Sequence, residues 1–311
     1  MRDVEWVHQS DWLLRSSFNF AGSSGDVFLE FDGIDTFADI WLNGHRIGAT
    51  ANAYRSYRFA VPRDLLVTGE NTLLLHVKAH ARMVKHLVPE AERRLGATYK
   101  LKGLIRRYQR NFFSGSSLLN LGGEVLGIGI YKPARLVVRP PARIENVHFE
   151  VHEAVPVRGA ALAHVELNPD AVDASRTVRV ALHDDDGRCV AEAIAPAATD
   201  RVSLPVTVEK PKLWWPRGYG EPSRYLLSVE LRDGEVPLDR STCHVGFRTV
   251  RLSTTTATGR NTFQLVVNGT PVSVRGQNLV PVDHIKVHGA PDIYDRLLRM
   301  VCEGNANLIR I

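Results

Sequence analysis

Short runs of alternating apolar and polar residues, cut by Asn-Gly and Asp-Gly pairs, dominate the chain up to about residue 254. In Val27-Phe28-Leu29-Glu30-Phe31, residues Val27, Leu29 and Phe31 share one face. In a later run Leu73, Leu75 and Val77 do the same, with His76 and Lys78 opposite. A period of two marks a strand with one buried face. The pairs Asn43-Gly44, Asp186-Gly187, Asp233-Gly234 and Asn268-Gly269 suit tight hairpin turns. Both central residues of such a turn need positive φ, which Asn or Asp followed by Gly tolerates at low cost. Many short strands joined this way predict sandwiches or barrels.

A length of 311 residues predicts two domains and part of a third. Residues 1–140 form one β block. Arg139-Pro140-Pro141 reads as a linker, because tandem prolines stop a ladder and stiffen the chain. Residues 141–253 form a second block, with strands at Val165 to Leu167, Val178 to Leu182, Val202 to Val208 and Tyr225 to Leu231. About seven strands in that length suit an immunoglobulin-like sandwich.

The pattern changes over residues 254–311. Phe263 to Val267, the Asn268-Gly269 turn and Val272 to Arg275 read as a hairpin. Pro291 to Glu303 reads as a helix, with Ile293, Leu297, Met300 and Val301 on one face. Pro291 suits the first turn and Gly304 the C-terminal cap. Leu308-Ile309-Arg310-Ile311 then reads as a strand, and strand, helix, strand begins a parallel α/β unit.

Hydrophobic residues at 44% and charged residues at 23% are ordinary for a globular chain. No stretch reaches the ~18 apolar residues of a membrane span. Met1-Arg2-Asp3-Val4-Glu5-Trp6 lacks the layout of a secretion signal, so a soluble, cytoplasmic chain is expected. The net charge of +5 is concentrated in residues 78–110, where ten Lys or Arg face only Glu90 and Glu92. Only Tyr99 and Tyr108 interleave with them, so a solvated basic segment is expected and no nucleic-acid partner. Cys189, Cys243 and Cys302 are odd in number and far apart, which predicts buried reduced thiols and no zinc knuckle or disulfide framework. His284 and His288 are four apart but precede Pro291, so they do not share a helix face as a metal pair. No metal or other cofactor is expected.

Five stretches resemble the family 2 glycoside hydrolases, in their β-mannosidase-like branch. Phe31-Asp32-Gly33-Ile34-Asp35-Thr36-Phe37-Ala38-Asp39-Ile40-Trp41-Leu42-Asn43-Gly44 resembles the core of the family's sugar-binding domain, and Gly129-Ile130-Tyr131-Lys132-Pro133 the strand that closes it. Leu213-Trp214-Trp215-Pro216-Arg217-Gly218-Tyr219-Gly220 resembles the tryptophan-rich loop of the immunoglobulin-like domain, and Gly246-Phe247-Arg248-Thr249 its last strand. Asn268-Gly269, Arg275-Gly276-Gln277-Asn278 and Asn307-Leu308-Ile309-Arg310 resemble the opening of the catalytic barrel.

The resemblance implies a mainly β chain: a galactose-binding-like jelly-roll sandwich, an immunoglobulin-like sandwich, then the incomplete start of a TIM (β/α)8 barrel. It implies retaining exo-β-glycosidase chemistry on a β-linked oligosaccharide or glycoside, by two carboxylates about 5–5.5 Å apart. In the family both are glutamates from later barrel strands, so no catalytic residue is assigned here and the chain alone is expected to be inactive. Glu124 and Glu303 fall in different domains and no motif pairs them. Both ends look truncated, Val4-Glu5-Trp6-Val7 resembling a point inside the usual first domain. Asn111-Phe112-Phe113-Ser114-Gly115-Ser116-Ser117 stands where mannosidase-like members carry a Trp-Asp-Trp-Gly-Pro loop, and Leu279 replaces a usual Trp.

Three residues are candidates for substrate binding. Arg310 resembles an arginine beside the catalytic carboxylate, which a guanidinium can hold ionised through paired hydrogen bonds. Asn278 and Asp283 follow the first barrel strand, where barrel loops build sites, although loop capping would also explain them. Trp214, Trp215 and Tyr219 are expected to pack between domains and not to stack on sugar. Two other readings stay open: a non-catalytic carbohydrate-binding or interaction module, and one half of a split glycosidase whose second chain completes the barrel.

Overall fold

The computed structural model describes residues 6–7, 9–84, 127–255, 258–279, 282 and 290–311. The chain divides into two compact units. One holds residues 1–139 with 280–295, the other 140–279 with 296–311.

The first unit contains β1 (Trp12–Phe20), β2 (Asp26–Phe31), β3 (Ile34–Asp35), β4 (Phe37–Leu42), β5 (His45–Ala51), β6 (Tyr57–Val61), β7 (Gly69–Val77), α1 (His80–Val84), β8 (Gly129–Ile130) and β9 (Ala134–Arg139). They form a β1-β7-β4-β5 sheet, a β6-β2-β9 sheet and a β3-β8 pair, all antiparallel. One apolar cluster joins the two larger sheets, so they make a sandwich. Val27, Leu29, Phe31 and Val61 enter it from one sheet, and Ala38, Ile40, Leu42, Leu73, Leu75 and Val77 from the other. These are the inward positions of the alternation, each large one contributing roughly 1.5–3 kcal/mol by burial. The Asn43-Gly44 turn takes positive φ at both residues. Asn43 also serves as a clasp: its side chain donates to the Leu65 carbonyl and to Asn71, and accepts from the Thr72 N–H.

The second unit opens with β10 (Ile144–Val155), β11 (Arg158–Leu167), β12 (Asp173–His183), β13 (Cys189–Ala197), β14 (Arg201–Glu209), β15 (Tyr225–Asp233) and β16 (Val236–Val245). A β10-β11-β14 sheet faces a β13-β12-β15-β16 sheet across one core. This is the seven-stranded immunoglobulin-like arrangement expected from the strand count. The strands run longer than the apolar runs alone suggest. In β14, Val202, Leu204, Val206 and Val208 are buried and the residues between them exposed. Pro196, Pro205 and Pro237 fall on β13, β14 and β16, all edge strands, where a missing N–H breaks no ladder. The tandem prolines before β10 are fastened to this unit: Asn168 donates to the Pro141 carbonyl at 2.7 Å and accepts from the Arg143 N–H at 2.8 Å.

The remaining elements are β17 (Val250–Thr255), β18 (Asn261–Val267), β19 (Thr270–Val272), β20 (Gly276–Asn278), α2 (Pro291–Glu303) and β21 (Leu308–Arg310). β17, β18 and β19 form an antiparallel sheet, while β20 and β21 pair in parallel. The hairpin is shorter than its sequence suggests, because β19 ends at Val272. On α2, Ile293, Leu297 and Val301 are half-buried, but Met300, on the same face by the helical period, is 59% exposed. The helix closes with left-handed φ at Asn305, not at Gly304. Asn305 N–H donates to the Cys302 carbonyl and Ala306 N–H to the Val301 carbonyl, the paired bonds of a Schellman ending. Cys189 and Cys243 are exposed on the edge strands β13 and β16 and Cys302 is half-buried, so the expected burial of the thiols does not hold. Among the described residues no helix is long and apolar enough to cross a membrane.

Candidate functional site

Two of the three candidate residues meet at the C-terminal ends of the parallel pair. The register sets Gly276 opposite Leu308, Gln277 opposite Ile309 and Asn278 opposite Arg310. Arg310 Nη1 donates to Asn278 Oδ1 at 3.5 Å, and the Leu279 N–H donates to the Arg310 carbonyl at 2.9 Å. Both side chains are exposed. The arrangement can present a guanidinium fork and an amide, side by side, to an anionic or hydroxyl-bearing group.

The base of this pair is held by local chemistry. At Gly276 a Cβ would come within 3.0 Å of the Leu308 carbonyl oxygen, so the close approach of the strands requires glycine there. Asn307 takes an N–H bond from Arg275 at 2.9 Å, donates its own N–H to the Arg275 carbonyl at 2.8 Å, and donates its side-chain amide to the Ser273 carbonyl at 2.9 Å. Arg275 Nε donates to the Asn305 carbonyl at 2.9 Å, which couples the end of α2 to the start of β20.

The tryptophan-rich loop continues this scaffold. The Tyr219 hydroxyl accepts from the Ser273 N–H at 2.6 Å. Asn268 Nδ2 donates to the Trp214 carbonyl at 3.0 Å, and Asn268 Oδ1 accepts from the Thr249 N–H at 2.9 Å. The Arg248 guanidinium lies 4.2 Å from the Trp214 ring centroid, a cation–π contact. Trp214 and Tyr219 are thus structural ties between the sandwich and the β17–β19 sheet.

Asp283, His284, His288, the run Asn111 to Ser117, Glu124, Val4, Glu5 and most of the basic segment lie outside the described residues. Among the described residues no group of three or more His, Cys, Asp or Glu is placed to hold a metal ion. The triple role of Asn307 and the Tyr219–Ser273 bond were not legible in the sequence. The Asn307 motif was visible, but its partners are set by strand register.

Two β-sandwiches followed by a strand–helix–strand segment with a parallel pair define a multidomain protein with an α/β continuation. The comparisons give it a family. The profile described as "Glycosyl hydrolase 2 galactose-binding domain-like" matches residues 1–115, and "Glycosyl hydrolases family 2" matches residues 142–248. Beta-mannosidase B of Emericella nidulans is 28% identical over 320 residues, covering 99% of this chain and 36% of its own length. Beta-mannosidase B of Aspergillus oryzae is 27% identical with the same coverage. Among solved structures, the beta-D-mannosidase of Dictyoglomus thermophilum superposes with a TM-score of 0.78 at 26% identity, covering 100% of this chain and 38% of its own. A beta-glycosidase of Bacteroides vulgatus, at 20% identity and a TM-score of 0.69, shares the fold. The chain belongs to glycoside hydrolase family 2 and corresponds to the N-terminal portion of its β-mannosidase-like members. It spans a little over a third of the length of these relatives.

Proposed function

We propose that this chain is the accessory-domain portion of a retaining exo-β-glycosidase of the β-mannosidase type, acting on β-linked sugars in carbohydrate catabolism in the cytoplasm. The supporting observation is the Asn278–Arg310 pair at the C-terminal ends of two parallel strands, the side of a (β/α)8 barrel on which sites are built. In this reading β20, α2 and β21 begin such a barrel. Leu298 and Met300, exposed on α2, belong to the surface that the rest of the barrel covers, whether from the same polypeptide or from a second chain.

The chemistry needs one carboxylic acid to protonate the leaving oxygen and one carboxylate to form a glycosyl intermediate. In this reading neither comes from this chain. Its contribution is positioning: Arg310 holds a catalytic carboxylate ionised, Asn278 fixes the guanidinium, and Asp283 contacts substrate from the following loop. The test places Arg310→Ala and Arg310→Lys in a polypeptide in which the barrel is complete, with an aryl β-D-mannoside as substrate. Loss of a charged, preorganised donor lowers kcat/KM by about 10²-fold or more. Lysine restores only part of it, because it lacks the planar fork. Unchanged kcat/KM in both variants contradicts the role.

A further inference from the structure

The outer face of the β1-β7-β4-β5 sheet carries a row of side chains set by cross-strand register. Arg15 lies opposite Leu74, Leu74 opposite Trp41, and Trp41 opposite Arg46. Their strand neighbours Leu14, Leu73, Leu75, Ile40 and Leu42 point into the core. A solvent-facing side of an antiparallel sheet is ordinarily polar, so Trp41 beside Leu74 breaks the pattern. A depression of about 580 Å³ lies over the row, lined by Arg15, Trp41, Gly44, Thr72 and Leu74. That volume falls in the roughly 300–1,000 Å³ range of small-molecule sites.

The polar groups at its rim differ in availability. Arg46 donates to Asp39 at 2.7 Å, and Lys78 Nζ lies 2.7 Å from the same carboxylate. Arg15 makes no ion pair, and the Trp41 indole N–H and Thr72 hydroxyl make no hydrogen bond, among the described residues. The floor is therefore an aromatic–aliphatic strip edged by donors that are uncommitted among the described residues.

We propose that this groove is a sugar-binding site for a short oligosaccharide of β-linked pyranoses. A pyranose ring presents C–H groups on its faces and hydroxyls around its edge. The first suit an indole and a leucine, and the second suit a guanidinium, which carries five N–H donors, and a threonine hydroxyl. From β1 to β5 the row crosses three interstrand steps, roughly 14 Å, which suits a short oligosaccharide and not a single ring. A protein partner fits less well. Asp39, Lys78 and the Asp11–Arg82 pair charge the adjoining surface. The apolar strip is too narrow for the ~1,000 Å² a specific protein interface needs. The choice of β-linked sugars, β-mannose among them, rests on the proposed glycosidase function; the groove itself does not.

The test titrates the whole 311-residue chain with β-1,4-mannotetraose and with cellotetraose, following tryptophan fluorescence and indole N–H NMR shifts. Saturable binding in the millimolar range or tighter is expected, with one perturbed indole. Trp41→Ala lowers the affinity at least ~10-fold and Arg15→Ala ~3-fold or more, with the thermal midpoint unchanged for both. Should Trp41→Ala fail to fold, Arg15→Ala and the assignment of the perturbed indole decide. No saturable binding of either sugar, or affinities unchanged in both variants, overturns the proposal. So does a chain-derived or foreign protein segment found in the groove to the exclusion of sugar. Trp41-dependent binding of cellotetraose alone supports the groove and speaks against the mannosidase reading. Retained β-mannoside hydrolysis by the completed enzyme, without Trp41-dependent binding, removes the groove alone.

Discussion

Phe247 is fully buried between the two sheets of the second sandwich. Its ring meets Phe149 of β10 edge-on at 5.7 Å and Tyr225 of β15 edge-on at 5.6 Å, so one side chain holds both layers. Gly159 of β11 makes room for it: a Cβ there would stand 2.7 Å from Phe247 Cδ1. Gly159→Ala therefore forces the ring to move, an overpacking cost of about 1–3 kcal/mol. Phe247→Ala opens a cavity and costs about 3–5 kcal/mol. In the Phe247→Ala background the obstacle is gone. Alanine then regains the ~0.5–1 kcal/mol that glycine loses in a strand. The second substitution should become neutral or stabilising, a coupling of about 2–3 kcal/mol between the two sites. Urea denaturation of the wild type, both single variants and the double variant measures it, with amide exchange of β11 confirming that the same unit unfolds. Additive costs, within about 0.5 kcal/mol, would refute the claim that Gly159 exists to admit this ring.

Tyr225→Phe removes the acceptor of the Lys212 N–H, bonded at 2.8 Å, and should cost about 1–3 kcal/mol in the same denaturation assay. Burial raises the Tyr225 pKa above its ordinary value near 10. Its contribution is thus intact below pH ~10 and is lost as pH rises through the folded-state value, an alkaline loss the Phe variant should lack. Asp11 is held well below the usual carboxylate range, first by the Arg82 side chain and then by the Ala79 N–H. Its stabilisation is present above the unfolded value near 3.9 and is lost as pH falls toward the folded one; urea midpoints of Asp11→Asn should vary less over that acid range. Asn268→Ala forfeits the bonds to Thr249 and Trp214 and puts alanine at a φ of 47°, for about 2–3 kcal/mol. Asn268→Gly should relieve the backbone part of that loss, which thermal melts of the two variants compare.

Local pattern carried most of the fold. Alternation placed Leu73, Leu75 and Val77 inward, Asn43-Gly44 and Asn268-Gly269 are turns, and Pro291 and Glu303 bound the helix. What stayed hidden depends on register and long-range contact. The placement of Arg310 beside Asn278 follows from which residues of β20 and β21 face each other, and no local signal encodes that. The Trp41 groove needs four strands to align. Cys243 read as a buried thiol because cysteine usually is, yet a place on an edge strand leaves it exposed. Met300 fits the helical period, yet it is 59% exposed, while Ile293, Leu297 and Val301 on the same face are half-buried. At Gly304 the sequence suggested the left-handed residue, and the Schellman ending put it one position later, on Asn305, whose short polar side chain tolerates that conformation.

We propose that the acid and nucleophile of a retaining β-mannosidase-type reaction come from the rest of the barrel, with this chain supplying scaffold and positioning groups. Anomer-resolved NMR of aryl β-D-mannoside hydrolysis tests it, with the pure chain and a barrel-completed polypeptide run side by side. No turnover by the chain alone is expected, and β-mannose as the first product of the completed enzyme. Turnover by the chain alone, or α-mannose as the first product, contradicts it.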